Sequence, residues 1–271
     1  MDGASKLATQ VADSDGGLDN AEALLDRWSG SPEHIAEDVF RTRDMETGEM
    51  EDLRLFYPYQ PKILHAYFYG DASIKNVYKG RRIGVSFIVI VAMALDGLTT
   101  EDANFAVVST KKDQSQERLK DLRTLLDNSK IVGDQDISNW LRVDNKNEIV
   151  LLNGATYRAF TGNPDGARGM DSARTVFVDE MAFLDDQEAT MQAFMPFINL
   201  GSHRQMWQVS TPKVNNDVFL DTHGRGSATG RDGVISIKQP SFKNPDDIDI
   251  ETPLPEQDVE PVRPDMDVAT V

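Results

Sequence analysis

The sequence contains no cysteine, which excludes a disulfide framework, thiolate catalysis and thiolate metal sites. Its four histidines are scattered without the spacing of a ligand set. No apolar run approaches the ~20 residues that span a bilayer, so no membrane role is expected. The N-terminal stretch lacks a basic-then-apolar signal pattern, and the expected setting is intracellular. Basic residues are scarce: 28 Lys and Arg stand against 45 Asp and Glu, a net charge of −17. That balance argues against a passive, basic DNA-binding module, but leaves room for a motor that touches DNA through a local patch. The acid excess, with Asp ahead of Glu, reads either as a surface for concentrated salt or as an ordinary acidic protein. No internal repeat is present.

What is there suits a folded protein. A chain of 271 residues, 39% hydrophobic and 27% charged, buries one good core with appendages. Residues 1–20 are acidic and rich in small residues and read as disordered, so 1–30 is taken as an acidic flexible N-terminus. A short helix is predicted over 21–28, and Ser31-Pro32 opens another. Residues 41–52 are charged and read as loop. The folded domain is expected over 31–243, with a Pro- and acid-rich linker or tail over 244–271.

The rest is organised around Thr175-Val176-Phe177-Val178-Asp179-Glu180, an apolar run ending in two carboxylates. It reads as a buried parallel strand, and ligands of open α/β sheets bind at the C-terminal ends of such strands. This suggests phosphoryl transfer, with Asp179 holding Mg²⁺ through its water shell and Glu180 polarising the attacking water. The alternative is an acidic cap on the next helix.

Upstream, Asn76–Lys79 reads as a strand end, Gly80-Arg81-Arg82-Ile83-Gly84-Val85-Ser86 as a loop, and the apolar segment over 87–95 as a helix. That is the strand–loop–helix of a phosphate site. The pattern departs from G-x-x-x-x-G-K-[ST]: the glycines are one residue closer and Val85 stands in place of the lysine. Ser86 keeps the hydroxyl for Mg²⁺, Lys79 can supply a displaced ammonium, and Arg81 or Arg82 a second cation. The alternative is a strand–helix turn with incidental basic residues. Before it lies Phe56-Tyr57-Pro58-Tyr59-Gln60, ahead of an amphipathic helix to about Tyr69. Gln60 can pair with the N6 and N7 edge of adenine, or can simply cap the helix in an aromatic corner.

Further strands are expected over 104–109, 205–210 and 234–238, with a hairpin turned by Asn153-Gly154. Capping boxes at Asp113–Gln116 and Asp185–Glu188 would open two helices, the first with Leu119, Leu122 and Leu126 on one face. Ser210 and Thr211 can sense the γ-phosphate or the attacking water, or are simply a polar strand end stopped by Pro212.

In this order the aromatic-Pro-aromatic-Gln turn, the displaced-lysine loop, the acidic strand end and the Ser-Thr-Pro strand end resemble the ATPase domain of the large terminase subunit of tailed viruses. The most specific match runs from Asn153-Gly154-Ala155-Thr156 through Arg168-Gly169 to Val178-Asp179-Glu180-Met181-Ala182-Phe183. The resemblance implies a three-layer α/β, RecA-like P-loop fold with a mainly parallel sheet. It implies ATP and Mg²⁺ as cofactors and a motor that drives double-stranded viral DNA into the procapsid. Carried onto this sequence, it implies that Gln60 contacts adenine and that Lys79, Gly80, Gly84 and Ser86 hold phosphates and metal. Arg81 becomes the loop arginine, Asp179 the metal ligand, Glu180 the catalytic carboxylate, and Ser210 and Thr211 the coupling motif. Arg168 is implied as a residue acting in trans between subunits.

The expected partners are DNA, the portal protein, the small terminase subunit and further copies in a ring. The expected location is the host cytoplasm and, transiently, the procapsid portal, without stable incorporation in the virion. The acidic bias suggests a halophilic host. Large subunits usually continue into a nuclease domain; Asp246, Asp247 and Asp249 lie in apparent linker, so ATPase activity without DNA cleavage is expected. A non-hydrolysing nucleotide-binding scaffold and a helicase-like ATPase are the other readings.

Overall fold

Alternating apolar residues on the central strands divide the core in two. In the computed structural model, Phe105 and Val107 of one strand enter one cluster while their neighbours Ala106 and Val108 enter another. The structure describes residues 2–15, 19–44, 47–131, 140–163, 170, 172–198, 203–213, 218–243, 257 and 260–263.

The described elements are, in order, α1 (Asp2–Asp15), α2 (Asp19–Trp28), α3 (Pro32–Val39), β1 (Arg41–Arg43), β2 (Met50–Asp52), α4 (Tyr59–Tyr69), β3 (Ile74–Lys79) and α5 (Val85–Thr99). They continue with β4 (Asn104–Ser109), α6 (Lys112–Asp127), β5 (Leu141–Asp144), β6 (Glu148–Leu151), β7 (Thr156–Thr161), β8 (Thr175–Asp179), α7 (Gln187–Ile198), β9 (Gln205–Ser210), α8 (Val218–Arg225) and β10 (Val234–Gln239). The main sheet has the order β10-β3-β9-β8-β4-β7-β6-β5. It is parallel from β10 to β7, and β6 and β5 add an antiparallel edge. Helices α4, α5 and α6 cover one face and α7 and α8 the other, giving the expected three-layer α/β fold with a mainly parallel sheet.

Strand β9 inserts between β3 and β8, with Tyr78 level with Ser210 and Asp179 level with Val209. This order brings the C-terminal ends of three strands side by side. The core strand β8 is buried at every position, and each of Val176, Phe177 and Val178 contributes roughly 1.5–3 kcal/mol by leaving water. The Asn153-Gly154 turn forms as expected, with Gly154 at φ +87° and the Asn153 side chain accepting from the Ala155 N–H at 3.0 Å.

Several expectations are corrected. Residues 2–15 form a helix, in which Leu7, Ala8, Val11 and Ala12 are buried. The spacing of these residues makes one apolar stripe, which outweighs the acidic, small-residue composition that suggested disorder. Gly3 permits close docking, since a Cβ there would lie 2.1 Å from the Thr99 carbonyl oxygen.

Residues 41–52 are no simple loop: β1 and β2 pair antiparallel, and Asp52 receives Arg41 at 3.6 Å and Lys130 at 3.2 Å. This hairpin is mostly polar and none of its strand residues is buried, so it carries no hydrophobic alternation to read. Helix α6 begins at Lys112, before the expected capping box, and the Gln114 side chain turns back to accept from Ser109 and Thr110. At α7 the cap is Asp186, whose Oδ1 accepts from Ala189 N–H at 2.8 Å, one residue past the predicted Asp185. Neither β5 nor α8 was expected. Most of 244–271 lies outside the described residues; within it Val262 donates its N–H to Ser241 at 2.8 Å and Phe242 bridges Pro261.

Candidate active site

The site grows from the end of β3. Lys79, its last residue, is buried to 6% exposure, and the chain then leaves the sheet through 80–84. Gly80 has no room for a side chain, since a Cβ would meet Ser241 Oγ at 2.0 Å and Ser241 N at 2.5 Å. Arg82 and Gly84 both take left-handed backbone, φ +56° and +79°, which folds the loop back over itself. Ile83 is fully buried and anchors the loop, and its carbonyl accepts from Tyr59 Oη. Gly84 is the N-cap of α5 and supplies no side-chain cap, so the first N–H groups of that helix remain available to an anion. Arg81 and Arg82 are exposed beside them.

The acidic pair meets this loop from β8. Asp179 is 4% exposed; its Oδ1 accepts from Ser86 Oγ at 2.8 Å and its Oδ2 from Arg118 Nε at 2.9 Å. Burial pushes its carboxyl above the ordinary range, while Arg118, the Ser86 hydroxyl and Lys79 pull it down and Glu180 adds to the rise. In a continuing strand Glu180 would point to the opposite face from Asp179. Instead Glu180 sits in left-handed backbone at φ +55°, a conformation costing on the order of 1–3 kcal/mol in a non-glycine residue. The turn brings both carboxylates to the loop. Glu180 Oε1 pairs with Lys79 Nζ at 2.8 Å. Its Oε2 lies 3.3 Å from Ser210 Oγ, 3.4 Å from Thr211 N and 3.5 Å from Thr211 Oγ1. Ser210 Oγ also accepts from the Ala182 N–H at 3.1 Å, tying β9 to the turn after β8.

Lys79, Arg81, Arg82, Glu180 and Thr211 line a cavity of about 570 Å³. Gly84, Ser86, Arg118 and Asp179 line an adjoining one of about 440 Å³, which shares Lys79, Arg82 and Glu180. The structure thus brings together Lys79, Gly80, Arg81, Arg82, Gly84, Ser86, Asp179, Glu180, Ser210 and Thr211. Gln60 is different: its Oε1 accepts from the Tyr57 N–H at 3.0 Å, which is the capping alternative. Its turn is still fastened to the loop through Tyr59. Arg168 lies outside the described residues.

Sequence reasoning missed Arg118, Ser109 and Gln114, which complete the wall opposite the loop. Ser109 Oγ lies 3.1 Å from Gln114 Oε1 and 3.5 Å from the Asp179 carbonyl oxygen. Gln114, Arg118 and Asp121 recur at helical spacing along α6, a polar stripe at the border of the leucine face. That stripe was readable, but nothing local says that it faces the end of β8.

With this geometry in hand, comparison with solved structures shows the fold. The large terminase ATPase domain of Thermus phage P74-26 is 15% identical, with 66% of this chain and 80% of that one covered and a TM-score of 0.50. The HK97 bacteriophage large terminase is 13% identical, with 74% of this chain covered and a TM-score of 0.58. This chain covers 42% of the HK97 protein. A family model described as "Terminase large subunit, T4likevirus-type, N-terminal" matches residues 76–228, more than half of the chain, running from within β3 through β9. The chain therefore belongs to the terminase large subunit family, T4-like-virus type.

Proposed function

We propose that this chain is an ATP-hydrolysing motor subunit that drives viral double-stranded DNA into the procapsid. The observation that carries this reading is the pair of contacts at the sheet's end: Asp179 with Ser86, and Glu180 with Lys79, each at 2.8 Å. One carboxylate and one hydroxyl are hard oxygen donors that suit Mg²⁺. Among the described residues no cluster of three or more His, Cys, Asp or Glu offers a protein-only cage. The donor set therefore fits an ion that keeps waters and takes phosphate oxygens. Ser86 and Asp179 would hold it, and it would neutralise charge on the phosphates.

The chain's own groups supply the rest. Gly80 and Gly84 shape the loop around the phosphates, and the α5 N-terminus offers N–H donors. Lys79 leaves Glu180 for the phosphates, with Arg81 and Arg82 as added cations at the rim. Glu180, freed of Lys79, accepts a hydrogen bond from the attacking water and orients it. Ser210 and Thr211 contact the same carboxylate and would relay its state to β9. Gln60 contacts adenine only by releasing the Tyr57 N–H. Arg168 remains the proposed residue acting in trans.

The proposed partners are DNA, the portal protein, the small terminase subunit and further copies in a ring, in the host cytoplasm and at the portal. The test is steady-state ATP hydrolysis with Mg²⁺, alone and with DNA. Glu180→Gln should lower turnover at least ~10²-fold with nucleotide binding retained. Turnover unchanged in Glu180→Gln would sink the assignment. A specific observation favours the second reading, a non-hydrolysing nucleotide-binding scaffold: Val85 stands where the loop lysine is expected, and Lys79 is engaged by Glu180. Wild type that binds ATP without hydrolysing it under all conditions would select it.

A further inference from the structure

Asp179 already has a cation. Its Oδ1 is taken by Ser86, and its Oδ2 by the guanidinium of Arg118, with Nε at 2.9 Å. Both carboxylate oxygens are therefore engaged by the chain itself. A buried carboxylate without a countercharge is costly, and an arginine supplies a charge that cannot be lost by deprotonation. Arg118 is held at the same time by Asp121, whose Oδ2 lies 2.6 Å from Nη1. The two contacts use different nitrogens, and the two acceptors differ in setting: the Asp179 side chain is 6% exposed and that of Asp121 31%. Arg118 can thus give up Asp179 without being left unpaired.

Resting on the reading that Ser86 and Asp179 hold Mg²⁺, we propose that Arg118 is the site's internal counter-cation. It neutralises Asp179 when no metal is bound, would compete with Mg²⁺ for that carboxylate, and would retreat onto Asp121 when the Mg²⁺–nucleotide enters. Arg118 is a positioning residue in this scheme, since it acts through Asp179. The exchange makes α6, which carries both Arg118 and Asp121, the helix that registers metal arrival. It also gives metal-free nucleotide a tolerable site, because the guanidinium cancels the carboxylate facing the phosphates.

The test is ADP affinity of the full chain by calorimetry, with Mg²⁺ and with EDTA, the ratio of the two being the metal enhancement. Arg118→Ala removes the one cation that contacts Asp179 among the described residues, so in EDTA the carboxylate repels the phosphates more and the enhancement should rise at least ~10-fold. Arg118→Lys keeps charge but cannot reach both acceptors, and should fall between. Asp121→Asn weakens the retreat position and should lower the enhancement. Circular dichroism and thermal melting check folding, and Asp121→Asn carries the test if Arg118→Ala does not fold. An enhancement that is unchanged in the folded variants, or reduced in Arg118→Ala, overturns the proposal while leaving the nucleotide site intact. A wild-type chain whose ADP affinity ignores Mg²⁺ overturns both this proposal and the metal reading beneath it.

Discussion

Lys79 and Glu180 hold one another at 2.8 Å across the mouth of the site, one at the end of β3 and the other in the left-handed turn after β8. The residues are 101 apart in sequence and meet because both strands end at the same edge, with only β9 between them. The ammonium is buried while the carboxylate keeps about a third of its surface in water. Under the proposed function each would act on a bound nucleotide, and in the structure each is engaged by the other.

Competition between Glu180 and nucleotide for Lys79 has a measurable consequence. Lys79→Ala should weaken ATP binding by about tenfold or more, because it removes the buried cation. Glu180→Gln should bind ATP at least as tightly as wild type, since it releases the ammonium. Fluorescent-nucleotide titration of both variants checks this. Equal weakening in the two would show that Lys79 serves Glu180 alone.

Far from the mouth, the opposite end of the sheet depends on a buried ion pair. Asp96 is 2% exposed, accepts from Arg174 Nε at 2.8 and 2.6 Å, and also receives Tyr67 at 3.2 Å and Thr100 at 3.1 Å. Asp96→Ala would remove the carboxylate partner of Arg174, whose side chain is 31% exposed, and one acceptor of Thr100, while Tyr67 keeps Thr175 at 2.7 Å. The expected loss is about 1–3 kcal/mol in denaturant unfolding, with no direct effect on nucleotide contacts.

Lys75 provides a pH test. It is buried at the start of β3, donates to the Gly70 and Ala72 carbonyls at 2.9 and 2.6 Å, and burial lowers its pKa from 10.5 to about 8. The unfolded chain binds this proton more tightly than the folded one, so stability rises with pH between about 8 and 10.5. The cost is fully present below the folded value and is gone above the unfolded one. Lys75→Met removes it. Wild type should therefore gain on the order of 3 kcal/mol relative to Lys75→Met across that window. Parallel stability–pH curves for the two proteins would contradict it.

Much of this protein was legible because local physics and tertiary packing agreed. The apolar run ending at Asp179 and Glu180, the strand–loop–helix from Asn76 to Leu95, the Asn153-Gly154 turn and the leucine face of α6 all carry their own periodicity or turn chemistry. Their side chains need no distant partner to declare a strand, a hairpin or a helix. The acidic N-terminal helix was hidden because its stripe of Leu7, Ala8, Val11 and Ala12 is thin and becomes worth forming only against a neighbouring surface. The β1–β2 hairpin was hidden because its stabilisers, Lys130 among them, come from elsewhere in the chain.

By itself the sequence determined residue types at strand ends: two carboxylates, a hydroxyl, a displaced lysine and a glycine loop. These follow from local spacing, which a chain carries wherever it goes. Only the tertiary structure decided who meets whom. The insertion of β9 between β3 and β8 sets Ser210 against Glu180, and the left-handed turn at Glu180 points both carboxylates at one loop. The packing of α6 over β4 and β7 delivers Arg118 to Asp179 across 61 residues. Such pairings depend on strand order and on burial, which are settled by the balance of the whole core and not by any one segment.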